Sequence, residues 1–155
     1  MVRGFRRVLA VAGVLAMTLT VAAPASAQQA PEVFYVANVA FSNPLQPDTA
    51  YVVGIYRCFG GQPIHLWVSL KQGGPDPSAE GSGATSTSWY DTNILPPPDV
   101  NCDGRLHSIV VPVGKYPNKA RLTSGQAWVQ FCLVAGGEDG GIVASQSKFI
   151  RVIAF

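Results

Sequence analysis

The sequence predicts an all-β protein, an immunoglobulin-like antiparallel sandwich of about seven strands, with a small barrel as the second topology that the pattern allows. Three observations carry this. Beyond residue 27 no apolar pattern of period 3.6 is sustained; short β-branched and aromatic runs recur instead between Gly, Pro, Asn and Asp clusters. The runs are short and regularly spaced, as in sandwiches. Within several of them apolar and polar residues alternate singly, the period of a strand with one buried face.

The chain opens with Arg3, Arg6 and Arg7, an apolar stretch from Val8 to Val21, and Ala25-Ser26-Ala27. These are the basic region, apolar region and small-x-small cleavage pattern of an export signal. The stretch is too short for a membrane span, which needs about 20 residues, and no cysteine near the cleavage point offers a lipid anchor. Arg6-Arg7 would suit twin-arginine export, but an ordinary secretory signal also accounts for it and is the expectation. The expected organisation is a signal peptide over 1–27 and one β-domain over 28–155, which places the protein outside the cell. Three of the eleven Lys and Arg residues lie in the signal, so the remainder carries eight against nine acidic residues, a net of −1. That balance lacks the basic footprint of nucleic-acid binding and of a membrane-surface cluster.

Strands are expected at 33–41 (VFYVANVAF), 50–58 (AYVVGIYRC), 63–72 (PIHLWVSLKQ), 85–90 (TSTSWY), 106–113 (LHSIVVPV), 126–135 (QAWVQFCLVA) and 142–153 (IVASQSKFIRVI). Turn signals separate them at Asn43-Pro44, Gly60-Gly61, Asp103-Gly104 and the Gly-rich tip over 136–141. Residues 73–84 form a polar Gly/Pro/Ser loop, and 94–99 (ILPPPD) an extended polyproline-type connection. Alternation assigns faces. In the third strand Leu66, Val68 and Leu70 oppose His65, Trp67, Ser69 and Lys71, so the leucine side is core. In the sixth, Ala127, Val129, Phe131 and Leu133 are core, while Trp128, Gln130, Cys132 and Val134 face away.

Cys58, Cys102 and Cys132 are the only cysteines, so one of the three lacks an intramolecular partner. A Cys58–Cys132 pair would mimic an immunoglobulin bridge with Trp67 beside it, but Gln130 stands where that fold has a tyrosine. Cys58–Cys102 is favoured, because "NCDGRLH" turns into a core strand and brings Cys102 near the end of the second strand. "GIYRCFGG", a strand ending in "LKQGG", "NCDGRLHSIVV" and "SGQAWVQF" together resemble small secreted β-domains of unknown function common in actinobacteria, over about residues 48–153. The resemblance implies an immunoglobulin-like sandwich with a Cys58–Cys102 bridge and implies no activity. It leaves Cys132 unpaired, available for a Cys132-linked dimer, and makes Cys132→Ser close to neutral.

Catalytic chemistry finds little footing. There is no Gly-x-Ser-x-Gly elbow. His107 is expected to be a structural group hydrogen-bonded near Asp103, and a Cys132–His65 thiol site lacks an orienting third group. His65 and His107 are not spaced as a chelate, and Glu138-Asp139 falls short of a calcium loop. Asp76, Asp91, Asp99 and Asp139 read as solvated turn residues. No enzyme, cofactor or metal is therefore expected. If the third, sixth and seventh strands share a sheet, His65, Trp67, Trp128, Cys132, Phe149 and Ile153 converge on its outer side. Such a face suits a protein or cell-surface partner, unless the chain's own loops cover it. A second expectation is a small apolar ligand carrier, with a cleft walled by Trp89, Tyr90 and Pro96-Pro97-Pro98.

Overall fold

The structure is a computed structural model describing residues 29–60, 63–79, 84–91, 100–136 and 140–155, with Asp91 described as backbone only. The expected signal peptide, Gly81-Ser82-Gly83, residues 92–99 with the Pro96-Pro97-Pro98 run, and Glu138-Asp139 lie outside the described residues. Eight strands form in chain order: β1 Glu32–Val36, β2 Val39–Asn43, β3 Gln46–Phe59, β4 Ile64–Gln72, β5 Ser86–Asp91, β6 Asp103–Lys115, β7 Gly125–Ala135 and β8 Gly141–Ile153. No helix of the described residues is long and apolar enough to cross a membrane.

The all-β expectation holds, and the sandwich is corrected to a closed barrel. Seven strands run in the ring β3-β2-β8-β7-β4-β5-β6 and back to β3, with β1 paired on β3 beside β2. The alternation that gives a sandwich its two inner faces also gives a barrel its lining, so the difference lies in two short seams. One is parallel, joining β2 to the chain's last strand through Val39↔Arg151, Ala40↔Val152 and Phe41↔Ile153. The other joins β5 to β6 through Ser88↔Lys115 and Trp89↔Gly114. An open sandwich leaves such edges unpaired; closure removes them.

The first expected strand, 33–41, is interrupted at Ala37-Asn38. Both halves pair with β3, and the interruption is held from both sides: Ala37 N donates to the Val53 carbonyl at 2.9 Å and Arg151 N to the Asn38 carbonyl at 2.9 Å. The Lys148 ammonium donates to the Val36 carbonyl and to Asn38 Oδ1, fastening β8 to this bend.

The interior is filled by side chains. Val52, Tyr56, Leu66, Val68, Leu70, Val111, Val113, Val129, Phe131, Leu133 and Val152 are all fully buried in one cluster. The core faces expected for β4 and β7 are as observed. Gly54 is the small position that lets this cluster close: a Cβ there would stand 2.4 Å from Phe131 Cε2 and 2.5 Å from its Cζ. The β7 phenyl ring therefore reaches across the barrel to the backbone of β3.

Polar interior groups are satisfied at one end. Gln72 Nε2 donates to the carbonyls of Thr123 at 2.8 Å and Gln126 at 3.3 Å, and its Oε1 accepts from Thr123 N at 2.9 Å. This one carboxamide ties the segment before β7 to the end of β4. Gln72→Ala strips these partners from backbone groups at a buried position and is expected to cost about 2 kcal/mol, measured as a lower urea midpoint with an unchanged m-value.

At the other end β6 begins with a bulge. The β3–β6 register slips between Arg57↔Leu106 and Phe59↔Asp103, and Gly104 sits there at φ +82°, a conformation that suits glycine. The expected Asp103-Gly104 turn is thus a bulge inside a strand. It brings Cys58 and Cys102 to a Cα–Cα separation of 4.5 Å, and they form the disulfide. The bond joins the end of β3 to the residue before its neighbour β6, rather than two facing sheets.

Candidate binding face

The outer sides of β5, β4, β7 and β8 form one continuous face whose rows follow from the register. Thr87, Lys71, Trp128 and Phe149 make one row; Trp89, Ser69, Gln130 and Ser147 the next; Trp67, Cys132 and Ser145 the third. The sheet neighbours assumed from the sequence are therefore correct, and Trp67, Trp128 and Phe149 lie on one face. All three tryptophans of the chain (Trp67, Trp89, Trp128) lie there. Trp128 and Phe149 meet edge to face, with ring centroids 4.9 Å apart, the geometry their quadrupoles favour.

Ile153 stands apart at the β2 seam, opposite Phe41. His65 and Cys132 are corrected: both lie on this face, but they are buried, with 8% and 1% of their surface exposed. His65 Nδ1 lies 3.1 Å from the Gly136 carbonyl, which orients the ring as a structural group. Cys132 is unpaired, yet it stands outside the core cluster. Its cross-strand neighbour is Trp67, and Gln130 and Val134 flank it along the strand. A small side chain among larger ones sinks below the surface. Burial pushes its thiol up to about 11, so it is protonated at neutral pH, the reverse of an activated nucleophile. Burial also withholds the sulfur from a second chain, so the expected Cys132-linked dimer has no exposed thiol to form it. Cys132→Ser is no longer expected to be neutral. It places a hydroxyl where a thiol was buried, and a loss of about 1 kcal/mol is expected in chemical denaturation.

The same size contrast produces a depression of ≈ 270 Å³ centred on Ser69 and lined by Trp67, Ser69, Lys71, Thr87, Trp89 and Tyr116. Trp67 and Lys71 flank Ser69 along β4, while Trp89 and Gln130 stand across from it. Tyr116 joins from the end of β6: its N–H donates to the Thr87 carbonyl at 2.8 Å, and its ring lies 6.2 Å from that of Trp89. Ser69 is 1% exposed, and its Oγ has no hydrogen-bond partner among the described residues. Most buried hydroxyls are partnered, and one without a partner costs about 1–3 kcal/mol. Ser69→Ala is therefore expected to raise stability by about 1 kcal/mol in urea unfolding; a loss of that size would show that the hydroxyl is satisfied in the free protein.

Lys71, Thr87 and Tyr116 were not assigned to a site from the sequence, and Trp89 was expected only as a wall of an apolar cleft. The alternation of β5, with Ser86, Ser88 and Tyr90 inward, carries the signal that puts Trp89 outward. Tyr116 follows β6 and carries no local signal, because only the β5–β6 seam brings it here. Tyr90, expected to wall a cleft beside Trp89, is instead buried in the core cluster.

A second polar pair lies elsewhere. His107 Nε2 is 2.7 Å from Asp103 Oδ1, which also accepts from Arg105 N at 2.9 Å, as expected for a structural histidine. The His107 hydrogen bond, then that of the Arg105 amide, holds the Asp103 carboxyl below its ordinary range. No group of three or more His, Cys, Asp and Glu among the described residues could hold a metal ion. Compared with known proteins, the chain matches no protein-family model and no curated sequence.

Proposed function

We propose that this is a secreted, non-enzymatic binding domain that meets a target at or outside the cell surface through the aromatic outer face of β4, β5, β7 and β8. The observation that carries the reading is the Ser69 depression. Three aromatic residues wall it and its lining is almost wholly apolar, a recess on the outer face that suits an apolar group of a ligand. Trp and Tyr supply large, rigid contact area, which is why they dominate binding energetics. The export pattern of residues 1–27 and the Cys58–Cys102 disulfide, a bond of oxidising compartments, support secretion. The alternative of a carrier holding an apolar molecule inside the fold has less support, because the side chains that line the barrel fill it.

The test is retention of the purified domain on envelope fractions of the source organism. Trp67→Ala and Trp89→Ala are expected to abolish retention with the fold intact by circular dichroism. Val110→Ser, at an exposed position on β6, is expected to leave it unchanged. Equal loss in all three, or in none, contradicts the reading.

A further inference from the structure

We infer that a groove beside Phe149 is a carboxylate-binding site for an acidic side chain of a peptide. It is separate from the Ser69 depression, and the inference does not rest on the binding-face reading. The groove has a volume of ≈ 410 Å³, within the range that holds a ligand. It lies where the start of β7, the end of β8 and the bend before β2 meet, and Asn38, Gly125, Gln126, Phe149 and Arg151 line it. Register explains the convergence. Gln126 and Arg151 are cross-strand partners, and Trp128 and Phe149 are the pair two residues further on, so all four side chains stand on the outer side. Asn38 is held beside them because the Arg151 N–H donates to its carbonyl at 2.9 Å.

The groups that line the groove are donors in want of an acceptor. Arg57 and Arg121 are paired with Glu32 and Asp48. The Arg151 guanidinium is exposed and makes no hydrogen bond or ion pair among the described residues. At Asn38 the Lys148 ammonium donates to Oδ1 at 2.7 Å, so the acceptor end of that carboxamide is taken and its NH₂ is left for a ligand. The Gln126 carboxamide is exposed and equally unpartnered among the described residues. A carboxylate only accepts, and a planar guanidinium meets its two oxygens with two parallel charge-assisted bonds. A phosphoryl dianion would call for a second cation, but the neighbouring Lys148 is engaged by the Val36 carbonyl and Asn38. One free guanidinium therefore matches one carboxylate charge. Phe149, 45% exposed, supplies an apolar wall for the methylene stem of the acidic residue. Gln126 can both donate and accept, which suits the peptide group next to it.

The test is a set of titrations into the ¹⁵N-labelled full secreted protein, followed by the side-chain N–H signals of the groove. The probes are N-acetyl-Tyr-Glu-Glu-amide, the same peptide with glutamine for glutamate, inorganic phosphate and oligogalacturonate. The acidic peptide is expected to shift the Arg151 Nε–H, the NH₂ groups of Asn38 and Gln126 and the Gly125 amide, and to saturate them. Its affinity should fall about tenfold or more in Arg151→Gln, whose fold is checked by circular dichroism. Arg151→Lys, which keeps the charge and loses the planar fork, should fall between the two. Binding should weaken with salt and be lost as pH drops through about 4.3, where the peptide's glutamates become neutral. Equal shifts from the glutamine peptide overturn the charge requirement, and tighter binding of phosphate overturns the carboxylate. Shifts from oligogalacturonate alone overturn the peptide. A response gathered at Trp67, Trp89 and Tyr116 with Arg151 unmoved, or no response to any probe, overturns the site itself.

Discussion

Replacing Cys58 and Cys102 together with alanine is expected to lower the unfolding free energy by about 4 kcal/mol. The bond closes a loop spanning 44 positions of sequence. In the chain-entropy account, that cross-link removes unfolded conformations which the reduced chain regains. The loss is a large share of the 5–15 kcal/mol that a domain of this size usually has. The double substitution is the informative one, since a single change leaves a thiol free to exchange. Both sulfurs lie at the end where β6 starts on its Gly104 bulge, so the pairing from Thr49↔Gly114 to Arg57↔Leu106 is expected to survive with altered protection near Asp103. Urea unfolding of the two proteins measures the difference. A change below about 1 kcal/mol would mean that the unfolded chain is already confined or that the bond strains the native state.

The second large effect is expected at a residue with no side chain at all. Gly54→Ala places a methyl 2.4 Å from the fully buried Phe131 ring, well inside van der Waals contact. Overpacking of a filled core costs about 1–3 kcal/mol and occasionally more, and here the clash falls where a ring spans the barrel. The expected loss is about 3 kcal/mol in the urea midpoint, with near-ultraviolet dichroism showing a disturbed aromatic core. The mechanism is separable from a generic strand effect. Gly54→Ala combined with Phe131→Leu should be more stable than the sum of the single losses, because the smaller side chain vacates the space the methyl needs. Strict additivity would place the cost in the β3 backbone instead.

Much of the framework was legible because it rests on local pattern. Leu66, Val68 and Leu70 alternate with polar residues, as do Ala127, Val129, Phe131 and Leu133 with theirs, and a strand's period then fixes which side is buried. Trp67 and Trp128 fell on the outer face by the same logic, and the Asp103–His107 pair was near enough in sequence to anticipate. Closure was not legible. The β2–β8 and β5–β6 seams rest on three and two residue pairs, and no local signal marks a parallel contact between the ends of a chain. Exposure was misjudged for a related reason. Alternation says which side of a sheet His65, Ser69 and Cys132 occupy, but their burial depends on the size of cross-strand neighbours. Those neighbours become known only once β4 is placed between β5 and β7.

The depression around Ser69 is thus a product of register: a small side chain of β4 surrounded by Trp67, Trp89, Lys71 and Tyr116 from separate parts of the chain. Whether this face meets the target is decided most directly by amide and indole chemical-shift mapping of the ¹⁵N-labelled protein on addition of a solubilised envelope fraction. The account predicts shifts concentrated at Trp67, Ser69, Lys71, Thr87, Trp89 and Tyr116. Shifts gathered instead at the disulfide end, around Tyr56, Asp103 and His107, would contradict it.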